Sequence, residues 1–133
     1  MQNSSTAKLG NNINQKIDTN LYGTEFIKYF YTNWSTNLQE LLNKKIINEH
    51  TKIKFKKVKY QKEDLIKFLT QINNEGVVFN IIDYEISDSG SRKIDILVNG
   101  EITVNNNTNE FTQTLLIANN KYWFLQNSLF IIK

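Results

Sequence analysis

The chain has 133 residues, of which 40% are hydrophobic and 12% aromatic; it carries a net charge of +3 and contains no cysteine. Such a length supports one domain with a genuine core and is too short for two, and the lack of Cys excludes disulfides and thiolate metal sites while allowing a reducing compartment. Met1 to Asn20 has no apolar run of the signal-peptide kind, and no stretch approaches the roughly 18 apolar residues of a membrane span. A soluble, intracellular protein that needs no membrane, metal or cofactor is the expectation.

Residues 1–20, rich in Asn and Ser and without sustained periodicity, read as a disordered or weakly helical arm ahead of a single domain over 21–133. Phe26, Phe30 and Trp34, with Ile27 and Tyr31 beside them, then recur at helical spacing; they predict a helix from Tyr22 to Trp34 with Thr24 at the N-cap position. A second helix is predicted from Thr36 to about Ile47, with Leu38, Leu41, Leu42 and Ile46 on one face. Thr51 to Tyr60 alternates lysines with Ile53 and Phe55, and the Lys56-Lys57 doublet marks a turn or bulge, giving a short hairpin or bent edge strand. The third helix should run from Lys62 to about Asn73, with Leu65, Ile66, Leu69 and Ile72 inward and Glu63 and Asp64 in its first turn. Asn73-Asn74-Glu75-Gly76 stops it. Val77 to Ser87 reads as a long strand with Val78, Ile82, Tyr84 and Ile86 in one stripe and Phe79 and Ile81 in the other.

The last third, Arg92 to Lys133, reads as three consecutive strands joined by Asn-rich turns. In the first, Ile94, Ile96, Val98, Ile102 and Val104 alternate with Lys93, Asp95, Asn99, Glu101 and Thr103, and Leu97 breaks the alternation. In the last, Tyr122, Phe124, Phe130 and Ile132 share one side while Trp123, Leu125, Leu129 and Ile131 share the other. A strand that is apolar on both faces needs two covers. Helices supply one; a second protein surface is the natural candidate for the other. The architecture is therefore α+β, three N-terminal helices packed on one face of a curved, mainly antiparallel sheet.

This pattern resembles the nuclear transport factor 2 family from Phe26 to Ile132. FIKYFYTNW looks like the family's first-helix motif, QKEDLIKFLTQI its third helix, VNGEI and FTQTLLI its sheet, and NSLF its closing Asn-Asp-hydrophobe-Phe. The resemblance implies a cone-shaped domain that acts in nucleocytoplasmic transport, in the nucleus and cytoplasm and at the nuclear pore. Its sheet would pair with a second copy as a homodimer or with a paralogous domain as a heterodimer. Leu97 and Leu129 fall where the family places apolar dimer contacts, and Asn99, Trp123, Leu125, Asn127 and Ile131 complete the expected partner face. The family's Ran-GDP carriers use acidic residues at positions that are here Lys56, Asn105 and Asn107, so the switch cations of Ran would meet no acceptor. The resemblance therefore leans towards the mRNA-export cofactor, partner of the export receptor, over the Ran-GDP carrier. The family's Asp and Arg of the final strand fall on Ser128 and Ile131, giving a more apolar partner face. A pocket for Phe-Gly repeats of nucleoporins is expected near Tyr22 and Phe26.

Competing readings rest on other residues. The same cone houses isomerases and dehydratases, but the inward candidates of this sheet are Gln113, Gln126, Ser128 and Tyr84, with no evident general base. Asp83 and Asp95 should face the other way. The lone His50 lies in a polar loop beside Glu49 and reads as a surface histidine. Lysines from Lys52 to Lys62, interleaved with Phe55 and Tyr60, suggest a nucleic-acid surface. Arg92 is the single arginine, and a solvated, pairing-resistant edge strand is the better account, which argues against direct RNA contact. The expectation is thus a non-enzymatic, dimerising adaptor. Its alternatives are a small-molecule enzyme or carrier in the same cone, or a domain binding short peptide motifs outside transport.

Overall fold

The computed structural model describes residues 11–133. Helix α1 spans Asn11–Thr36, so it begins well before Tyr22, and Thr24 lies inside it instead of capping it. Of the expected arm, residues 1–10 lie outside the described residues and the remainder opens α1. Apolar periodicity marks only the part of a helix that packs, and no Pro or Gly stands between Asn11 and Tyr22 to end it earlier. The packed part carries Phe26, Ile27, Phe30, Tyr31 and Trp34, all buried. Gly23 sits in mid-helix, where Gly costs about 1 kcal/mol relative to Ala, because a Cβ there would stand 2.7 Å from Cδ1 of Ile86; the absent side chain lets α1 lie close to the sheet.

Helix α2 is only Leu38–Asn43. Lys45, at φ 60, turns the chain out of the helix, and the amides of Ile46 and Ile47 bond back to the Leu41 carbonyl at 2.9 and 3.3 Å. Ile46 then serves the sheet, its carbonyl accepting from the Leu125 amide at 2.8 Å. Buried Thr51 fixes the same junction: its hydroxyl donates to the Leu125 carbonyl at 2.6 Å and accepts the Asn48 amide at 2.9 Å. Thr51→Val keeps the shape and removes both bonds, so it should cost about 1–3 kcal/mol in urea unfolding; an unchanged midpoint would show the hydroxyl to be dispensable.

The hairpin forms as β1 (Lys52–Phe55) and β2 (Val58–Gln61), and Lys56 and Lys57 at φ 49 and 70 make the two-residue turn whose twist suits a hairpin. Helix α3 follows over Lys62–Asn74, burying Leu65 and Leu69. Ile66, expected inside, is 39% exposed: the buried stripe is completed instead by Phe68, whose ring meets Phe55 and Tyr60 at 5.1 and 4.1 Å. The long strands are β3 (Val77–Gly90), β4 (Lys93–Val104), β5 (Asn107–Asn119) and β6 (Trp123–Ile132). Left-handed pairs Ser91-Arg92 and Asn105-Asn106 join β3 to β4 and β4 to β5.

The strand order is β2-β1-β6-β5-β4-β3, and β1 runs parallel to β6 while every other pair is antiparallel, so the sheet is mixed. Two bulges set which side chains face the helices. In β3 the register shifts between Ile81 and Asp83. Phe79 and Ile81 consequently face the helices before the bulge and Tyr84 and Ile86 after it, whereas Val78 and Ile82, expected to share a stripe with Tyr84 and Ile86, are 61% and 60% exposed. In β6 the extra residue is Gln126, between Leu125 opposite Ile117 and Asn127 opposite Leu116. Its effect on the partner face is large.

Candidate interaction surface

The bulge at Gln126 splits the two expected sides of β6. Leu125 pairs with Ile117, Ser128 with Leu115 and Phe130 with Gln113, and all six are buried on the helix side. Leu125, expected on the partner face, is thus a core residue with 0% exposure. Trp123 also departs from the expectation: half-buried, it leans on Tyr22 of α1 with ring centres 5.7 Å apart. Beyond the bulge the expected residues share one outward side. Asn127, Leu129 and Ile131 point away from the helices, Leu129 and Ile131 at 38% and 46% exposure, and Leu97 and Asn99 of β4 lie half-buried on the same open face.

Cross-strand register extends that face beyond the predicted residues. One row of neighbours runs Glu85, Leu97, Thr114, Leu129, Lys54, Lys59 across all six strands, and a second runs Ser87, Asp95, Leu116, Asn127, Lys52, Gln61. Thr112, Thr114 and Leu116 were legible in principle, since they alternate with Phe111, Gln113 and Leu115. Part of the surface is held in place by hydrogen bonds: the Thr112 hydroxyl donates to Asn99 Oδ1 at 2.8 Å, and Asn99 Nδ2 donates to Asp83 Oδ1 at 2.9 Å. Asp83 and Asp95 face outward, as expected.

On the helix side, aromatic rings pack against one another over the centre of the sheet. Phe111 stacks on Phe130 at 4.7 Å, and Trp34 meets Phe79 at 4.6 Å and Phe130 at 6.0 Å. Among the described residues the buried polar side chains are Thr51, Gln113 and Ser128. The Tyr31 hydroxyl donates to Gln113 Oε1 at 2.6 Å, Gln113 Nε2 donates to Ser128 Oγ at 2.8 Å, and Ser128 Oγ donates to the Thr114 carbonyl at 2.6 Å. Burial pushes the Tyr31 phenol well above its usual range, so it stays a neutral donor. Of the other inward candidates, Gln126 is half-buried at the bulge and Tyr84 is 41% exposed beside α1.

The remaining candidates disperse. Phe26 is 6% exposed and stacked on Phe30 at 5.7 Å, so it is closed to a Phe-Gly repeat; Tyr22, 43% exposed, is the part of the expected pocket that reaches the surface. Helix α1 buries Phe26 because it is the first member of the Phe26-Phe30-Trp34 stripe. Phe55 and Tyr60, both half-buried, pack onto Phe68, and Lys56 Nζ lies over the Phe55 ring at 5.5 Å from its centre. His50 lies exposed 3.6 Å from Glu49, on the rim of an open groove of about 920 Å³ between the start of α3 and the β5–β6 turn. No group of His, Cys, Asp and Glu among the described residues is arranged to hold a metal ion, and no helix among them is long and apolar enough to cross a membrane.

Helices on one face of a six-stranded mixed sheet, a filled interior and an uncovered opposite face define a cone-shaped α+β domain. The chain belongs to the nuclear transport factor 2 (NTF2) domain family, whose sequence profile matches residues 22–132. Among solved structures it is similar to nuclear transport factor 2 from Cryptosporidium parvum, with a TM-score of 0.76 at 17% identity, over 86% of this chain and 94% of that one. The yeast Ubp3-associated protein Bre5 matches with a TM-score of 0.68 at 16% identity, over 83% and 92% of the two chains. A chain of the C. albicans complex of Mtr2 with the Mex67 M domain matches with a TM-score of 0.68 at 12% identity, over 86% and 94%. No curated protein matches the chain by sequence.

Proposed function

We propose that this protein is a non-enzymatic adaptor that pairs with another polypeptide through the open face of its sheet, and that it serves nucleocytoplasmic transport in the nucleus and cytoplasm. The observation that carries the reading is the outward row of Leu97, Leu129 and Ile131, with Leu116 beside it, in a chain whose helices already cover the opposite face. An uncovered apolar centre on a regular sheet marks a protein contact. The aromatic filling of the interior, and the role of Gln113 and Ser128 as bonded core amide and hydroxyl, support a binding role over a catalytic one.

Transport is supported by likeness to the C. parvum factor and to the Mtr2–Mex67 complex. Ran-GDP is not the cargo in this reading. Lys56 and Asn105 sit in tight turns, Asn107 opens β5, and none of the three offers a carboxylate. The export-cofactor type therefore fits better than the Ran carrier. Likeness to Bre5, seen also in the complex of Ubp3 with Bre5, favours a second reading as an interaction domain outside transport.

Tagged wild type and Leu129→Glu, each purified from the native cell, separate these readings. Wild type should retain nuclear-pore or export components that Leu129→Glu loses, while both give the same circular dichroism. Recovery of a deubiquitinase assembly would favour the second reading; identical partners for both proteins would remove the open face from the account.

A further inference from the structure

The two edges of the sheet are built differently. At one end β2 is four residues long, carries Lys59 and follows the Lys56-Lys57 turn; a short strand with lysines resists pairing with other chains. At the other end β3 runs for 14 residues, Val77–Gly90, with neither Lys nor Pro. Among the described residues it is hydrogen-bonded along its length to β4 alone. Alternate residues therefore turn their N–H and C=O away from the sheet, and of these groups the Gly90 amide is taken by Asp88 Oδ1 at 2.8 Å. A groove of about 460 Å³ opens beside this edge, between α1 and β3. Its α1 wall is lowered by the short side chains of Thr24 and Thr32, so Ile27 and Tyr31 of α1 and Phe79 and Ile81 of β3 form an apolar floor. The charged residues of β3 are Asp83, Glu85 and Asp88, all exposed, and among the described residues none has an ion-pair partner.

We propose that the β3 edge takes an extended segment of a partner protein by strand addition. Side chains of an added strand alternate between the two faces of the sheet. One set, apolar, enters the groove between α1 and β3. The other set lies on the open side beside Asp83 and Glu85, which pair with Asn99 and Leu97 there, and the sign of those carboxylates selects Lys or Arg. The free main-chain groups of β3 supply affinity, and the groove and the carboxylates supply the sequence preference, the division of labour usual in strand addition. Register shifts between Ile81 and Asp83, and the bulge bends the edge, so that a short segment can follow it while a second flat sheet edge fits poorly. Facing Val78 to Glu85 takes about eight residues, roughly 26 Å of extended chain. The site does not rest on the open-face reading: Glu85 and Leu129 are three strands apart in one row, roughly 14 Å, so one domain can hold a sheet partner and a strand partner together.

A random decapeptide library displayed on phage and panned against the full chain tests this. Enriched peptides should alternate apolar residues with Lys or Arg, and a synthetic peptide of the enriched sequence should slow hydrogen exchange at the β3 amides that face away from β4. N-methylation of alternate amides in that peptide should abolish binding, since it removes the main-chain donors. Glu85→Lys should weaken binding about tenfold or more, and so should Thr32→Trp, which fills the groove from an exposed position of α1; Leu129→Glu should leave it unchanged, and all three should keep the wild-type circular dichroism. Enriched peptides without basic residues, or indifference to Glu85→Lys, would overturn the charge preference. A peptide that binds without protecting β3, or that tolerates N-methylation, would overturn strand addition. Loss of binding in Leu129→Glu would move the site to the open face, and a library that yields no binder to wild type would overturn the proposal outright.

Discussion

Phe111→Ala should lower the stability of the domain by about 3–5 kcal/mol, a fifth or more of the roughly 5–15 kcal/mol that holds a domain of this kind folded. Phe111 is 1% exposed and stacks on Phe130 at 4.7 Å, with Phe79 and Tyr31 at 5.8 and 6.2 Å. It also lies directly across the strand pair from Gly100, where an added Cβ would stand 2.5 Å from the Asn80 carbonyl oxygen and 3.1 Å from Cε1 of Phe111. Gly100 is therefore fixed by close approach of the backbone of β3, and the Phe111 ring fills the space its missing side chain leaves. Removing the ring opens a cavity bounded by sheet backbone, which cannot collapse to close it. Tryptophan fluorescence in a urea titration reads the loss through Trp34, whose ring lies in the same cluster; a shift under about 1 kcal/mol would mean that the interior is less tightly filled than described.

The second large effect is expected at Gln113. Gln113→Ala removes a fully buried amide, leaves the Tyr31 hydroxyl without its acceptor and frees Ser128 from its donor. The cavity and the unpaired Tyr31 hydroxyl together should cost about 3–5 kcal/mol. Gln113→Leu paired with Tyr31→Phe should recover most of that loss, because removing both partners with the volume retained leaves no orphaned donor. A double-mutant cycle by urea unfolding measures the difference. If the paired variant is as unstable as Gln113→Ala, shape and not hydrogen bonding holds this part of the core. The same cycle bears on function: a structural amide predicts that partner binding survives in the paired variant.

Much of the fold was legible because its signals are local. Lys56-Lys57 and the Asn105-Asn106 pair occupy left-handed positions that end strands abruptly, and the stripe Phe26, Phe30, Trp34 fixes the inward face of α1 whatever the helix's length. The mixed sheet was not legible. Parallel pairing of β1 with β6 joins residues more than seventy positions apart, such as Lys54 and Leu129, and leaves no pattern within either strand. The site was half legible for a related reason. Strict alternation through β6 places Leu125, Leu129 and Ile131 together, but one extra residue, Gln126, inverts the phase, so Leu125 goes inward while Leu129 and Ile131 stay outside. A bulge has no composition of its own to announce it.

The mass of the wild-type chain in solution tests the central claim most directly. Light scattering on a sizing column at micromolar concentration should give twice the chain mass for wild type and the single-chain mass for Leu129→Glu, with unchanged secondary structure. A wild type that elutes as a single chain across that range and takes up no second cone domain when one is added would contradict the account, since Leu97, Leu129 and Ile131 would then face water for no purpose that the fold supplies.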